Sequence, residues 1–135
     1  MAKYLLDTNV CVFFLRGKES IVEQILDNGI NNCFISEITV AELLYGVECD
    51  EYNFQENRKR VNEFVSILTV IPITNVLLEY AQQKAILRKK GNLIDDMDLF
   101  IGATAIANDM TLVTDNEKHL NRLSNIRIEN WMIKS

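Results

Sequence analysis

Short, almost continuous apolar runs alternate with helical patterns along the chain, and this alternation is what most constrains the fold. The runs are too short for helices, and the segments between them carry apolar residues at helical spacing. Strands that are apolar on both faces are typical of parallel sheets covered by helices on both sides. The strand candidates are residues 3–6, 32–35, 68–73, 111–114 and a weaker run at 126–128; the helix candidates are residues 10–16, 20–28, 37–49, 54–67, 75–90 and 97–109.

We therefore predict an α/β fold with a central, mostly parallel sheet. With 135 residues, of which 48% are apolar, the chain 1–135 is long enough to form one domain with a substantial core. No apolar stretch reaches the roughly 20 residues that a membrane helix needs. The opening segment MAKYLLDTNV lacks the apolar region and cleavage site of a signal peptide, so we expect a cytoplasmic protein without a membrane anchor.

The cysteines and the histidine exclude some classes of site. Cys11, Cys33 and Cys49 are odd in number and form no C-x-x-C pair, and His119 is the only histidine. This pattern argues against a structural zinc site and leaves little scope for Ser-His-Asp or Cys-His catalysis. We expect reduced and mostly buried thiols.

An acid stands where the first predicted strand ends, in YLLDTNV. A buried carboxylate must be hydrogen-bonded, paired, protonated or bound to a metal, because an isolated one costs several kcal/mol. The run TLVTDN repeats the arrangement, with Asp115 and Asn116 directly after another predicted strand. Since ligands of parallel sheets bind beyond the carboxyl ends of the strands, we expect Asp7 and this second segment to meet at one edge.

Glu42 lies in SEITVAELLYG, in a helix that we expect to start near Ser36 or Glu37. Such a start would place Glu42 beside an apolar stripe, where an acid can be half-buried and available to a site. The alternative is structural, because Thr39-x-x-Glu42 also matches a capping box in which the acid stabilises a helix start. Spacing alone leaves both interpretations open.

Three acids crowd the entrance to the most apolar predicted helix, DLFIGATAIA. The helix dipole favours a first-turn acid by roughly 0.3–1 kcal/mol, which explains one aspartate better than it explains Asp95, Asp96 and Asp98 together. One division has Asp95 or Asp96 capping the helix while Asp98 points into a cleft. Gly102, Ala103 and Ala105 are small enough to let this helix pack closely against the sheet.

Acids gathered at one edge favour a cation. Two carboxylates about 5 Å apart repel by roughly 3 kcal/mol at an effective dielectric of 20, so three or four need shared protons or a positive ion. Oxygen ligands favour Mg²⁺ or Mn²⁺ over zinc. Such an ion acidifies water and neutralises phosphate charge, so hydrolysis of a phosphodiester is its natural use.

The net charge of −5 argues against a general nucleic-acid coat, because nonspecific binding rests on phosphate neutralisation. It does not exclude an enzyme that acts on nucleic acid, since acids gathered at a metal site can outweigh basic residues around it. Two local basic clusters stand at 58–60 and at 84–90, and solvated helix faces are an equally good interpretation of both.

The segments YLLDTNV, ISEITVAELLYG, DLFIGATAIA and LVTDN, in this order and at these distances, resemble the PIN-domain ribonucleases. More narrowly, they resemble the VapC-type toxins of bacterial toxin–antitoxin pairs. The similarity runs along nearly the whole chain and includes the closing IRIENW. It implies a Mg²⁺- or Mn²⁺-dependent endoribonuclease with a compact, three-layer α/β/α PIN-like fold.

The resemblance also implies the site residues. Asp7, Glu42 and Asp98 fall on the three most regular acidic positions of the family. The fourth position falls on Asp115 or Asn116, between which the sequence does not decide. Asp7 and Asp98 would be the principal metal ligands, and Glu42 would hold a water molecule at the metal or a second ion.

Neighbouring residues would support the site. Thr8 and Asn9 would steady the loop after the first strand through hydrogen bonds, and Thr8 is also a candidate to assist at the site. Some relatives have a Gly-Pro-like turn where this chain has Asp95 and Asp96, acids that repel RNA unless they cap the helix or face away. His119 is interpreted as a surface residue or an indirect support rather than a base.

The resemblance further implies the partners: an RNA substrate, a cognate VapB-type antitoxin that covers the active-site groove, and a second copy in a homodimer. Phe13, Phe14, Tyr45 and Phe54 are candidates for lining that groove, although aromatic side chains more often pack in the core.

Two other functions stay open. A Mg²⁺-dependent phosphomonoesterase of the aspartyl-phosphate type also begins with an acid after its first strand, but needs a second aspartate two residues later, where this chain has Asn9. A noncatalytic binding module with the same fold would use the acids only as helix caps and surface charges.

Overall fold

The structure is a computed structural model that describes residues 2–132. Within that range, five strands form one sheet in the order β3-β2-β1-β4-β5, and every neighbouring pair is parallel. All five predicted strands are present, with somewhat different ends, and the prediction of an α/β fold with a mostly parallel sheet is confirmed. The strands are β1 (Tyr4–Leu6), β2 (Cys33–Ser36), β3 (Thr69–Ile71), β4 (Thr111–Val113) and β5 (Ile128–Glu129).

The helices also follow the sequence pattern. Six of them correspond to predicted segments, with ends that differ by at most two residues. A seventh, and a 3₁₀ turn at 30–32, are too short to produce a periodic pattern and were not predicted. A second 3₁₀ turn at 74–76 overlaps the start of the predicted helix 75–90. The helices are α1 (Thr8–Leu15), α2 (Glu19–Asn28), α3 (Glu37–Glu48), α4 (Phe54–Ile67), α5 (Leu77–Lys89), α6 (Asp96–Ala107) and α7 (Glu117–Leu120).

Alternating side chains of the strands build a core on each face of the sheet. Leu6 and Val113 pack with buried residues of α1, α2, α3 and α4. Leu5 and Leu112, their neighbours along the strands, pack with buried residues of α5, α6 and α7. Each fully buried leucine contributes roughly 1.5–3 kcal/mol relative to an exposed one. The two cores confirm the three-layer α/β/α arrangement.

Gly102 permits a close approach in the middle of α6, but not the predicted one. A Cβ atom at this position would lie 2.2 Å from Leu123 Cδ1 and 3.3 Å from Leu120 Cδ2. The small residue therefore admits α7 and the segment that follows it. For Gly102 the prediction of packing against the sheet was wrong, because the helix turns this position towards the C-terminal segment. Ala105, in contrast, belongs to the buried cluster that contains Leu5 and Leu112 of the sheet.

The strand order fixes where a site can form. The chain adds β2 and β3 on one side of β1, and then β4 and β5 on the other. The winding direction thus reverses between β1 and β4, and such a switch point opens a crevice at the carboxyl ends of the two strands. Asp7 follows β1 there, and its backbone N–H donates to the carbonyl of Val113 at 2.9 Å.

Two predictions from composition can be compared with the structure. Cys11 and Cys33 are buried, Cys49 is exposed, and all three thiols are free, as expected for a chain with mostly buried, reduced cysteines. Among residues 2–132, no helix combines the length and apolar character required to cross a membrane.

Candidate active site

Asp7 directly follows β1 and caps α1. Its backbone is extended, with φ −66° and ψ 156°, and its Oδ1 accepts a hydrogen bond from the backbone N–H of Thr8 at 2.8 Å. The hydroxyl of Thr114 donates to Oδ2 at 2.7 Å. Only 4% of the residue is exposed. The acid at the end of the first strand is therefore buried and held by one neutral hydrogen bond on each oxygen.

Thr114 fixes the orientation of that carboxylate. The residue is fully buried, and its hydroxyl oxygen accepts a hydrogen bond from the backbone N–H of Asn116 at 2.9 Å. Because a backbone N–H can only donate, the hydroxyl proton of Thr114 is left for Asp7. The sequence pattern does not mark this residue, whose only signal is a hydroxyl at the end of the apolar run before Asp115.

Glu42 is not a helix-capping residue. Helix α3 begins at Glu37, and Ser36 is its N-cap, with Oγ accepting from the backbone N–H of Ile38 at 3.0 Å. Glu42 therefore lies in the second turn of the helix, too far along to close a capping box with Thr39. The capping interpretation was wrong because the cap is supplied three residues earlier.

Thr8 connects Glu42 to Asp7. Its hydroxyl donates to Glu42 Oε1 at 2.6 Å and lies 3.0 Å from the hydroxyl of Thr39, which is fully buried. We predicted that Thr8 lies in a loop, but it is the first residue of α1. Its predicted hydrogen-bonding role is confirmed. Asn9 is exposed, and its side chain makes no hydrogen bond within the described range.

Asp98 completes the group from the first turn of α6 and is half-buried. Asn116 Nδ2 donates to Asp98 Oδ2 at 3.4 Å, while Asn116 Oδ1 lies 2.9 Å from Nδ1 of His119. His119 is exposed, which agrees with an indirect supporting role. The side chain of Asp115 is also exposed, so it is Asn116 that contacts the clustered acids.

The other two acids at the entrance to α6 have separate roles. Asp95 is the N-cap, and its side chain accepts from the backbone N–H of Met97 at 3.1 Å. Asp96 faces α5, where it lies 2.8 Å from Lys84 Nζ and accepts a hydrogen bond from the hydroxyl of Tyr80 at 2.8 Å. The predicted division, in which one acid caps the helix and Asp98 belongs to the site, agrees with this arrangement.

Burial is the main influence on the pKa of the Asp7 carboxyl. It raises the pKa of this carboxyl, whereas the hydrogen bonds from Thr114 and Thr8 lower it; the charges of Glu42 and Asp115 raise it further. The two threonines therefore favour an ionised Asp7 in a place where burial and neighbouring acids oppose ionisation.

The acids also raise the pKa values of one another. Burial first, and then the charges of Asp7, Asp95 and Glu42, raise the pKa of Asp98 to about 6. Asp7, Glu42 and Asp98, which we call the carboxylate cluster, therefore share one local field although they come from three distant segments. Strongly perturbed acids in a crevice are typical of functional sites.

The carboxylate cluster offers only oxygen donors, which is the ligand chemistry of a hard divalent cation. None of its acids pairs with a lysine or arginine among residues 2–132, where the ion pairs involve Asp96 and Asp109. In the same range, no three His, Cys, Asp or Glu side chains are close enough together to hold one metal ion directly. Mg²⁺ commonly binds through one or two carboxylates and keeps several waters, which suits all-oxygen donors in this arrangement.

The four aromatic residues proposed for a groove differ in position. Phe13, Phe14 and Phe54 are partly buried and pack against the core, in agreement with the packing interpretation. Tyr45 is 72% exposed on α3.

A parallel α/β sheet with acids at its switch point is the architecture of the PIN domain, whose family model matches residues 4–125. Ribonuclease VapC2 of Haemophilus influenzae is 32% identical over 133 residues, covering 98% of this chain and 100% of the relative. The tRNA(fMet)-specific endonuclease VapC of Salmonella typhimurium is 32% identical over 132 residues, covering 97% and 99%. The chain belongs to the VapC group of the PIN-domain family.

Solved structures agree with this assignment. The chain superimposes on the DNA-bound VapBC of Salmonella typhimurium with a TM-score of 0.90 and 34% identity, covering 97% of this chain and 99% of the other. For VapBC2 of Rickettsia felis bound to a promoter DNA fragment, the TM-score is 0.88 with 34% identity, covering 95% and 98%.

Proposed function

We propose that this protein is a metal-dependent endoribonuclease that acts as the toxin of a VapBC-type toxin–antitoxin pair. The observation that carries the proposal is the carboxylate cluster at the switch point of the sheet, where Thr8 and Thr114 bond to Asp7 or Glu42 and Asn116 bonds to Asp98. Relatives named as ribonucleases and as a tRNA(fMet)-specific endonuclease, matched over nearly their full length, support RNA as the substrate. Relatives solved as VapBC complexes support a VapB-type antitoxin as the partner.

Asp7 and Asp98 would hold a divalent ion, Mg²⁺ or Mn²⁺, with Glu42 beside it. When bound, the ion would neutralise charge on the phosphate and make water easier to deprotonate. Glu42 Oε1 accepts a hydrogen bond from the hydroxyl of Thr8, and Oε2 accepts none from residues 2–132, so Oε2 is the oxygen that would accept a proton from the attacking water. That water would form the new P–O bond as the bond to the leaving ribose oxygen breaks, and the leaving oxygen would take a proton from solvent water.

The two other functions lose support from the same geometry. An aspartyl-phosphate phosphatase needs an acid two residues after Asp7. Asn9 stands there, exposed, and its side chain makes no hydrogen bond to any of residues 2–132. A module that uses its acids as caps does not account for Glu42, which caps nothing, or for a pKa of about 6 at Asp98.

The direct test supplies the purified protein with structured RNA, including initiator tRNA, and with a phosphomonoester, each in Mg²⁺. We expect cleavage of RNA at defined positions and no turnover of the monoester. Turnover of the monoester alone would contradict the proposal. Mapping the new RNA ends in total RNA soon after induction of the protein would identify the natural substrate. A VapB-type protein encoded next to this one should suppress the cleavage.

A further inference from the structure

A groove between α1, α3 and α4 begins beside Glu42. It encloses a cavity of about 280 Å³, which Glu42 lines together with Arg16, Asn57 and Arg60. The remaining lining is largely valine and leucine from the three helices. This volume is slightly below the roughly 300–1,000 Å³ of small-ligand clefts, so it suits a small flat group such as a single base.

The two arginines of the groove are available to a ligand. Arg16, directly after α1, and Arg60, on α4, are both exposed. Neither forms an ion pair within residues 2–132, although both line a cavity with an acid. A guanidinium presents a planar fork of donors that matches a phosphate group. In a chain of net charge −5, two unpaired arginines on one groove indicate an anionic ligand.

The groove continues along α4 into a second cavity of about 300 Å³. The two cavities share Leu15 and Arg60, and the second is lined by Phe14 and Phe64, with the exposed acid Glu63 on its wall. Arg60 thus stands between two largely apolar cavities. An apolar site, a cation and a second apolar site repeat the base–phosphate–base pattern of single-stranded nucleic acid, whose bases pack on apolar and aromatic side chains.

Asn57 adds a polar contact to the first cavity. Its Nδ2 donates to a carboxylate oxygen of Asp50, which fixes the amide. Its Oδ1 accepts no hydrogen bond within the part of the chain that the structure describes, and is therefore open to a donor on a base edge or a ribose 2′-hydroxyl.

We infer that this groove binds the RNA segment next to the scissile bond, with one base in the first cavity, the following phosphate at Arg60 and the next base against Phe14. The inference rests on the proposed ribonuclease function and adds a binding site to it. The substrate of an endonuclease continues on both sides of the cleaved bond, so it needs a binding surface next to the carboxylate cluster, and this groove starts at Glu42. Arg16 would contact a further phosphate at the rim.

Helix α4 offers matched controls for the test. Arg58 and Lys59 are exposed and carry the same charge as Arg60, but neither lines the groove. We expect Arg60→Ala and Arg16→Ala to raise KM for a single-stranded oligoribonucleotide by about 10- to 100-fold, with kcat within about twofold, because each loses a charge-assisted contact. Each should also reduce the salt slope of binding by about one. Arg58→Ala and Lys59→Ala should change KM less than about threefold.

A second measurement separates the inference from the proposed function. Binding of the same oligonucleotide is measured by fluorescence anisotropy in the Asp98→Asn protein, with and without each arginine variant, after thermal unfolding has confirmed that the variants fold. Equal binding with and without Arg16 and Arg60, or equal losses for Arg58→Ala and Arg60→Ala, would overturn the inference. Weakened binding of a VapB-type antitoxin with unchanged RNA binding would assign the groove to a protein ligand instead. Failure of the parent protein to cut RNA would contradict the proposed function itself.

Discussion

Asp7 meets two requirements at one position, the end of a central strand and the start of α1. A serine or asparagine would cap the helix about as well, but neither would place a negative charge at the switch point. Burial raises the pKa of this carboxyl, and the nearby charge of Glu42 adds to the effect. At the scale of the residue, the site therefore contains acids whose ionised forms are destabilised by burial and by one another. Such a local cost is expected where a residue serves function rather than stability.

Asp98→Asn should stabilise the metal-free protein above neutral pH. With a pKa of about 6 in the folded state against an ordinary value of 3.8, Asp98 binds more protons folded than unfolded between these values. The free energy of unfolding therefore falls as pH rises from about 4 to about 6, and the loss persists above pH 6. The substitution should recover about 1–2 kcal/mol at pH 8, allowing for partial exposure.

Urea unfolding in chelator at pH 4 and pH 8 measures this difference. The control is Asp27→Asn, which removes an exposed acid on α2, away from the carboxylate cluster. A variant at Asp98 that is less stable than the parent at pH 8 would contradict the electrostatic account.

Thr114→Val should weaken both the fold and the site. It leaves buried Asp7 Oδ2 and the backbone N–H of Asn116 without their shared partner, at a cost of about 1–3 kcal/mol. Loss of a residue that orients a metal ligand typically costs 10–100-fold in metal affinity. We expect the Mg²⁺ concentration for half-maximal RNA cleavage to rise by that factor, whereas Thr114→Ser should keep most of the affinity. Equal behaviour of the valine and serine variants would show that the hydroxyl has no positioning role.

At the scale of the elements, the sequence predicts the strands and helices well and their arrangement poorly. Apolar periodicity is local, so it marks each strand and sets most helix ends to within two residues. The strand order depends on contacts between distant segments, and no local pattern encodes it. The same limit applies within the site: Asp7 was recognisable at a strand end, but Thr114 binds it across 107 residues of sequence. Glu42 was ambiguous until the position of Ser36 as the N-cap excluded the capping box.

Gly102→Ala should disturb the packing of α6 against the C-terminal segment and lower the stability of the fold. The added Cβ would meet Leu123 and Leu120, both buried, so these side chains must move, at about 1–3 kcal/mol. Gly46→Ala on α3 is the matched control, because nothing lies within 4 Å of its added Cβ. Alanine should there stabilise the helix by up to about 1 kcal/mol. Thermal unfolding distinguishes the two, and equal effects would contradict the packing described for α6.

At the scale of the whole molecule, the fold brings acids from β1, α3 and α6 to one crevice and leaves two arginines in the groove beside it. This distribution of charge is compatible with both a net charge of −5 and an anionic substrate, because the acids are concentrated where a cation would offset them.

The sequence left the fourth position of the site open between Asp115 and Asn116, because the choice depends on which side chain turns inward. In the structure, Asn116 contacts Asp98 and Asp115 is exposed.

Bound Mg²⁺ should stabilise the whole molecule by mass action, because the folded state gathers the acids and the unfolded state does not. At a concentration 100 times its Kd, the gain is about 2.7 kcal/mol. The parent protein should therefore unfold at a higher temperature in Mg²⁺ than in an equal concentration of chelated Mg²⁺, and Asp7→Asn should lose most of this difference. An equal Mg²⁺ response in the parent and in Asp7→Asn would show that the ion acts elsewhere.

The central claim is that the carboxylate cluster cleaves RNA with the help of a divalent ion. It is tested most directly by following cleavage of one RNA by the parent and by Asp98→Asn, first in excess chelator and then after Mg²⁺ or Mn²⁺ is restored. We predict that the parent is inactive in chelator and recovers with either ion, and that the folded variant stays inactive in both conditions. Undiminished cleavage in excess chelator, or cleavage by Asp98→Asn at the rate of the parent, would contradict the claim.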